Sequence, residues 1–454
     1  MLVSRRTMLG ALGGLAAAPL SGCRGVPAAF RPPPTIIPSH PVRLAVVVSQ
    51  NLTDAALTNY QHQYQQVVDA AAGKGVAVDK TITWIPGTLR GQSGYAAGMS
   101  AFQNIETAYM GVAAAGTPSP DLLLLAGGPS QIYTPWLLQQ LVGGQLVRPL
   151  DAELGRDRMA NLHDYFPHAL DTCRLSGKLY GLPTAIIPYL LLTDPTLLRA
   201  EQLASADTWD WNHLLDAASR LTKAPNQYAF APPNFPSLEL FLWQHGASVL
   251  GADGTRCTLD DPAAIEAAAF YGDLFTLYKV IAPPGKDTSE WPIKPDGRMT
   301  YNGARIALLM TGGLGPTKPL QFSEPFHDSA RATSLVVQDM LVMTVRAADP
   351  ARSYAVLAAL AAEMQGQNVL PPRHSLAKAM PLPEGVDQPA FTVMLNAAEY
   401  ARASQVYPGI SAPFYNTLQM PLQQGTKTAE DACKAAADAI NAILQGHAGT
   451  PGPA

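Results

Sequence analysis

Residues 42–50, VRLAVVVSQ, are a run of β-branched and apolar residues that ends in polar ones. This profile is typical of a buried strand in an open α/β sheet. Residues 54–72 then carry apolar side chains at helical spacing, which predicts a helix. A strand over 76–85, a helix near 95–115 and a strand within PDLLLLAGG at 120–128 continue the pattern. The β-α-β-α-β order predicts a mostly parallel sheet with right-handed crossovers.

The rest of the chain has a mainly helical pattern. Residues 209–223 predict an amphipathic helix that Asp207 and Thr208 would cap, and 262–278 predict a long helix. Further segments are predicted as strands at 304–310 and 334–343 and as helices at 133–141, 350–364 and 430–444. About 400 residues follow Val42, which is more than one hydrophobic core usually serves, so we expect two lobes.

The front of the chain has the organisation of an export signal. Residues 4–23, SRRTMLGALGGLAAAPLSGC, place Arg5 and Arg6 before an uncharged run at 8–20. That run is too short to span a hydrocarbon core about 30 Å thick as a helix, so we interpret it as part of a signal peptide. Its front resembles a twin-arginine signal, while export by the general secretory route stays open.

We expect a lipid anchor behind this signal. Residues 20–23, LSGC, resemble the lipobox of bacterial lipoproteins, in which Cys23 would become the lipidated first residue. Residues 27–41 contain six prolines, and such a composition favours an extended spacer. The predicted division is a signal peptide at 1–22, a lipidated tether at 23–41 and a folded body beyond, held on the periplasmic or extracellular face of the membrane.

Composition argues against two classes of protein. The chain has 31 lysine and arginine side chains against 35 aspartate and glutamate, and its net charge of −4 becomes −6 once Arg5 and Arg6 leave with the signal. An acidic chain without a basic cluster is not expected to bind nucleic acid. After the signal no uncharged run approaches the roughly 18 residues of a spanning helix, so no transmembrane helix is predicted.

Three cysteines remain in the body, Cys173, Cys257 and Cys433. Outside the cytosol they allow at most one intrachain disulfide, and each of the three pairings stays open. None lies near another cysteine or a histidine at metal-binding spacing. We therefore predict packing roles for them, no metal site and no cofactor.

Several motifs occur in an order that indicates one family. They are GKLYGLP at 177–183, DTWDWNHLLDAASRLT at 207–222, FLWQHGA at 241–247, YNGARIALLMTGG at 301–313 and APFYNTL at 412–418. Together they resemble the crossing segment and the conserved helices and turns of the extracellular solute-binding proteins of ABC importers, in particular the large sugar-binding family. The resemblance covers nearly all of the predicted body.

This resemblance implies a two-lobed periplasmic-binding-protein fold, α/β in class, with mostly parallel sheets and hinge crossovers. Lobe I would comprise 42–185 and 340–378, and lobe II would comprise 186–339 and 379–454. A small solute, a carbohydrate, would be held in the cleft at the carboxyl ends of the strands and passed to the permease subunits of an ABC importer. Such a protein captures its ligand without making a bond, so it is not expected to be an enzyme.

The family's sugar-contacting positions carry over only in part. Leu125, Gly128 and Pro129 stand where related proteins have a tryptophan and an Asp/Arg pair after the third strand. Ile187 replaces an acidic residue and Leu314 replaces a stacking tryptophan, whereas Tyr415 keeps an aromatic ring. Other residues must therefore rebuild the site, or the ligand differs.

Candidate ligand contacts follow from the resemblance to the family and from local features of the sequence. Gln50 lies at the end of the first strand, and Gln338 and Asp339 interrupt an apolar strand, where buried polar groups need partners. Arg373 would bind an anion or cap the rim of the site, and Trp243 is either a contact or a packing residue. The complete set is Gln50, Gly128, Trp136, Tyr189, Phe235, Trp243, Leu314, Gln338, Asp339, Arg373 and Tyr415, with Trp84 and Trp291 as further aromatic positions.

Other classes of function stay open. Asp339 and Glu239 would be the two acids of a glycan-acting enzyme, although no pattern pairs them. A bilobal scaffold or sensor without a transport role would explain the missing sugar contacts equally well. Ser375 and Lys378 match a Ser-x-x-Lys spacing, but the companion motifs of penicillin-recognising enzymes are missing from the sequence.

Overall fold

The computed structural model describes residues 40–49, 54–88, 105, 119–125, 134–157, 160–193, 195–205, 209–225, 228–230, 237–282, 306–310, 321–323, 333–364, 370–382, 388–406 and 408–448. The predicted signal peptide and nearly all of the predicted tether lie outside these residues, so both stay predictions.

The described residues form a mixed helix and sheet structure. The strands β1 to β10 are Leu44–Ser49, Thr83–Thr88, Leu122–Leu125, Arg174–Leu175, Lys178–Leu179, Gly181–Thr193, Ile306–Met310, Gln321–Ser323, Ser334–Met343 and Ala401–Arg402. The helices α1 to α14 are Asp54–Gly73, Thr134–Gly143, Asp151–Leu154, Pro167–Asp171, Pro195–Ala200, Trp211–Leu221, Leu238–Gln244, Pro262–Thr276, Pro350–Met364, His374–Ala379, Gln388–Glu399, Pro408–Ala412, Met420–Gln424 and Ala429–Ala448. A 3-10 turn at Leu162–Asp164 and a π-helical segment at Pro413–Gln419 complete them.

The front of the sheet has the predicted parallel strands. β1 pairs in parallel with β2 on one side and with β3 on the other. Residues 44–47 and 122–125 are buried throughout, as the continuous apolar runs of parallel strands predict. The helix predicted near 95–115 lies, apart from residue 105, outside the described residues.

β2 begins at Thr83, later than the predicted start at residue 76. Val78 forms only an isolated bridge, and the Asp79 carboxylate accepts a hydrogen bond from Thr81 N at 2.9 Å. Aspartate favours turns because its side chain bonds to nearby backbone groups in this way. The turn therefore interrupts the apolar run before the chain enters the sheet.

β6 is the strand that the crossing motif predicts. Residues 181–188 pair antiparallel with β9, and residues 189–193 pair antiparallel with β7 and β8. The order of neighbouring strands is β2-β1-β3-β9-β6-β7. One long strand therefore connects the part of the sheet next to the parallel strands with its far edge.

Three apolar clusters form the core of the described residues. The first core includes β1, β3, α1 and α9, the second includes α6, α7, α8 and α14, and the third includes α4 and α11. β6 contributes Leu182 to the first core, Leu190 to the third and Leu191 to the second. The strand thus links all three, while the residue limits of lobes I and II stay a prediction.

α6 begins at Trp211, two residues later than predicted. Asp210 is its N-cap, the role predicted for Asp207 and Thr208, and its carboxylate accepts a hydrogen bond from His213 N at 2.8 Å. This bond lowers the pKa of Asp210.

Replacing Gly181 by alanine is expected to destabilise the protein by about 2 kcal/mol, because a Cβ there would lie 2.9 Å from the carbonyl oxygen of Leu341 in β9. Gly446→Ala is the matched control, since a Cβ at that position in α14 meets nothing within 4 Å and alanine favours a helix by up to ~1 kcal/mol. Urea unfolding of both variants measures the two changes. Unchanged stability of Gly181→Ala would contradict the close approach of β6 and β9.

Candidate functional site

Asp339 lies where the parallel part of the sheet ends. On β9, Met340 pairs with Leu125, the last residue of β3, so Asp339 is one position beyond the carboxyl end of β3. On its other side Asp339 pairs with Ala185 of β6, next to an irregularity at Thr184. Open α/β sheets bind ligands at this edge, and bulges are frequent beside such sites.

The Asp339 carboxyl group is buried and only partly bonded. Asp339 is 8% exposed, and its Oδ2 accepts a hydrogen bond from the Tyr64 hydroxyl at 3.3 Å. No described residue donates to the buried Oδ1. Burial raises the pKa of Asp339 to about 7, although the Tyr64 bond acts in the opposite direction. The group is therefore near the midpoint of its ionisation at neutral pH.

Tyr64 bonds to this carboxyl group, and two further aromatic side chains lie beside Tyr64. Tyr60 and Tyr64 lie one turn apart on α1 with ring centroids 6.1 Å apart, and the Trp84 ring of β2 lies 6.5 Å from that of Tyr64. Burial and then the charge of Asp339 raise the pKa of Tyr60 to about 12 and that of Tyr64 well above its usual value. Both hydroxyls therefore stay protonated donors. We call Tyr60, Tyr64, Trp84 and Asp339 the Asp339 cluster.

The Asp339 cluster has the chemistry of a small-molecule site. Aromatic rings pack on the apolar faces of ligands and contribute on the order of 1 kcal/mol beyond the area they bury. A buried carboxyl oxygen without a partner can accept a hydrogen bond from a ligand, which would remove the cost of leaving it unsatisfied. The cluster thus combines apolar ring surface with one buried carboxyl group that can accept a hydrogen bond from a ligand.

Other aromatic candidates lie against protein. Trp243 of α7 is buried, at 2% exposure. Tyr189 of β6 and Tyr415 are half-buried against the second core, and Tyr415 packs edge-on against Phe414 with ring centroids 5.3 Å apart. Burial raises the pKa of Tyr189 to about 12. These surroundings suit packing and ligand contact alike, so the ligand role of all three stays a prediction.

Arg373 is engaged within the protein. Its Nε donates to Asp164 Oδ2 at 2.8 Å, and its guanidinium lies 5.8 Å from the centroid of the Tyr165 ring. Burial raises the pKa of Asp164, but hydrogen bonds from Ser375 and Arg373 outweigh it and lower that pKa overall. The arginine thus joins the start of α10 to the 3-10 turn, and an anion-binding role stays a prediction.

Ser375 bonds to the same carboxylate. Its hydroxyl donates to Asp164 Oδ2 at 2.5 Å, and its backbone N donates to Oδ1 at 2.9 Å. Asp164 therefore satisfies a free N–H group at the start of α10, which is a structural role. This arrangement gives no support to the Ser-x-x-Lys interpretation.

The remaining predicted positions are not described. Gln50, Gly128, Phe235, Leu314, Trp291 and Cys23 lie outside the described residues, and the side chains of Trp136 in α2 and Gln338 in β9 are likewise not described. Their roles stay predictions.

Sequence reasoning did not select Tyr60 and Tyr64 as site residues. Their spacing placed them on the apolar face of the first helix, where an aromatic side chain is ordinarily interpreted as core. Two tyrosines four residues apart share a helix face. The same spacing occurs in helices that pack on a core, so no local signal marks these two as ligand contacts.

Glu239, the second acid of the hydrolase alternative, has a structural environment. It is buried, and its carboxylate accepts hydrogen bonds from the Ser404 hydroxyl at 2.6 Å and from Gln405 N. Burial raises the pKa of Glu239 to about 7 in spite of these bonds. Both oxygens therefore hold the segment before α12 against α7.

The cysteines have the surroundings of packing residues. Cys173 lies in the first core, and Cys257 and Cys433 lie in the second; all three are buried and none of them forms a disulfide. In the described part of the chain, no group of three or more His, Cys, Asp or Glu side chains could hold a metal ion. None of the described helices combines the length and the hydropathy needed to cross a bilayer.

Comparison with known proteins shows a sequence match to one family and a structural match to several solved proteins. Residues 98–291 match the family described as bacterial extracellular solute-binding protein. No curated protein matches the sequence. Among solved structures, the sugar-binding protein MalE from Xanthomonas citri has a TM-score of 0.67 at 18% identity, over 90% of this chain and 98% of that one.

Two further structures show the same fold with different ligands. The cyclic alpha-maltosyl-1,6-maltose binding protein from Arthrobacter globiformis has a TM-score of 0.65 at 15% identity, over 89% of this chain and 100% of that one. UgpB from Mycobacterium tuberculosis, in complex with glycerophosphocholine, has a TM-score of 0.64 at 14% identity, over 88% of this chain and 98% of that one. The chain thus has the same fold as these binding proteins, and its residues 98–291 match the family model of bacterial extracellular solute-binding proteins.

Proposed function

We propose that this protein is an exported, lipid-anchored solute-binding protein that captures a carbohydrate and presents it to the permease subunits of an ABC importer without converting it. The observation that carries the proposal is the Asp339 cluster, which lies at the carboxyl end of the parallel strands. Tyrosine and tryptophan rings beside a buried carboxyl group suit a ligand with one apolar face and several hydroxyl groups.

The two strands that meet at this site supply the means of capture. β6 and β9 pair at Asp339, and β6 continues into the second and third cores. A ligand bound at Asp339 and at groups beyond β6 would favour the arrangement in which both sets of contacts form. Lobes I and II, with the limits predicted above, would close on it, and the importer would recognise the closed state.

Location outside the cytoplasm is in keeping with the matched family of extracellular proteins. In the proposal Cys23 carries the lipid and residues 23–41 are the tether to the membrane. An extended spacer of this length leaves the body free to open and close beside a permease.

Asp339→Asn and Tyr64→Phe are expected to weaken sugar binding about tenfold each, because one removes the charged acceptor and the other its positioning hydrogen bond. A thermal-shift panel of maltose, maltotriose, trehalose and larger oligosaccharides first identifies a ligand, and titration calorimetry then measures Kd. Asp216→Asn on α6 is the matched control, since that carboxylate is exposed and lies in an i,i+4 pair with Arg220.

Three outcomes would contradict the proposal in different ways. Released product in the panel would favour the glycan-acting enzyme, and no stabilisation by any sugar would favour the scaffold. Unchanged affinity in both variants would place the binding site elsewhere in the chain.

A further inference from the structure

We propose that the captured carbohydrate carries a protonated amine, and that this amine binds between the Asp339 carboxylate and the rings of Tyr60, Tyr64 and Trp84. The inference rests on the proposed function, because it specifies the ligand of the same site. It follows from the charge of Asp339 and from the aromatic side chains beside it.

The carboxylate of Asp339 has no counter-charge in the described part of the chain. Tyr64 donates to Oδ2, no described group donates to Oδ1, and no described lysine, arginine or histidine forms an ion pair with Asp339. Burying an unpaired ionised carboxylate costs on the order of several kcal/mol. A cation from the ligand would remove this cost.

A neutral hydroxyl group meets only half of this requirement. It can donate to Oδ1, but it brings no positive charge to favour the ionised form of this buried group over the protonated form. An ammonium group supplies the donor and the opposite charge together, and such charge-assisted hydrogen bonds are about twice as strong as neutral ones. Asp339 therefore selects for an amine over a hydroxyl at this position.

The aromatic rings favour an organic cation over a metal ion. Ammonium groups are attracted to the faces of tryptophan and tyrosine rings within about 6 Å. Calcium and magnesium instead require several oxygen ligands, and among the described residues no group of three or more acidic, histidine or cysteine side chains could hold a metal ion. The Asp339 cluster combines one acid with three rings, which is the composition suited to an ammonium group.

The test compares two trisaccharides of the same backbone that differ in charge. The glucosamine trimer has free amines, and its N-acetylated counterpart is neutral. Titration calorimetry on the mature chain, slightly below neutral pH so that the amines are protonated, should show binding of the free-amine trimer at least about tenfold tighter. In Asp339→Asn, which keeps the side-chain size and removes the charge, the two affinities should become equal within about twofold.

A second pair of variants keeps the test decisive if Asp339→Asn folds poorly. Tyr60 is half-buried near the start of α1, so Tyr60→Leu should fold while it removes an aromatic ring from the cluster. Tyr60→Leu should reduce the preference for the free-amine trimer by about threefold, and Tyr60→Phe should retain it, because the attraction comes from the ring face.

Equal affinities of the two trimers for the unmodified protein, or tighter binding of the acetylated one, would overturn this inference and leave the proposed function standing. Binding of a neutral sugar from the panel but of neither trimer would also overturn it. If neither trimer nor any sugar binds, the proposed function fails together with the inference.

Discussion

Glu239→Leu is expected to lower the free energy of unfolding by about 3 kcal/mol, because it removes a buried acceptor that bonds to two half-buried donors. These donors, the Ser404 hydroxyl and Gln405 N, belong to a segment that makes a second contact. The side chain of Gln405 accepts hydrogen bonds from Val249 N at 3.1 Å and from Leu250 N at 3.2 Å. Losing the Glu239 carboxylate therefore weakens two contacts of the second core.

Glu239→Gln is the matched control for the lost acceptor. Glutamine keeps the shape of the side chain and one acceptor oxygen, so near pH 4.5, where Glu239 is protonated in the folded protein, the stability of Glu239→Gln should stay within about 1 kcal/mol of the parent. Urea unfolding of the two variants separates loss of the acceptor from loss of the charge. Equal stability of Glu239→Leu and the parent would show that the 404–405 segment is held by other contacts.

Glu239 also gives the stability a pH dependence whose sign can be worked out. Burial raises the pKa of Glu239 from its usual 4.5 to about 7 in the folded protein. Between these values the folded protein keeps a proton that the unfolded chain has lost, so stability falls as pH rises from 4.5 to 7, by about 3 kcal/mol in total. Asp339, whose pKa is raised to about 7, contributes a decrease of the same sign. In Glu239→Gln about half of the combined decrease should disappear, and an unchanged slope would contradict desolvation of this carboxyl group.

Trp211→Ala is expected to destabilise the protein by about 4 kcal/mol, as truncation of a buried indole does. The ring stacks on Phe270 at 4.5 Å between centroids and on His245 at 5.3 Å. Its Nε1 donates to Oε1 of the buried Gln244 at 2.9 Å. The variant thus opens a cavity in the second core and removes a buried hydrogen bond.

Trp211→Phe separates these two effects. It keeps an aromatic ring against Phe270 but leaves Gln244 Oε1 without that donor, so a loss of about 2 kcal/mol is expected. Denaturant unfolding measures the stability of both variants, and calorimetry measures their sugar affinity. A large loss of affinity with little change in stability would contradict the assignment of Trp211 to the core and place it in the ligand site.

Residues close in sequence allowed the sequence-based predictions that the structure bears out. The apolar runs at 44–47 and 122–125 predicted buried parallel strands, and GKLYGLP predicted the crossing strand. The boundaries were less accurate where two local signals compete. The turn at Asp79 delays β2, and Asp210 caps α6 because it is extended directly before the first helical turn.

The candidate site could be predicted only in part, because its members are distant in sequence. Asp339 was selected as a polar residue in an apolar strand, but its partner Tyr64 is 275 residues away. Neither Tyr60 nor Tyr64 differs locally from a core residue of an amphipathic helix. Their roles follow from the pairing of β9 beside β3, which brings the carboxyl ends of the parallel strands to Asp339.

Local pattern was therefore enough to establish the elements, the crossing strand and the likeness to solute-binding proteins, because spacing of apolar residues and turn chemistry act over a few residues. Which polar groups are structural and which are open to a ligand depended on the folded chain. Glu239 and Asp339 are both buried acids whose pKa burial raises to about 7. Glu239 bonds to Ser404 and Gln405, whereas Asp339 has an oxygen with no described donor. The difference arises from contacts between segments more than 150 residues apart, which no local pattern encodes.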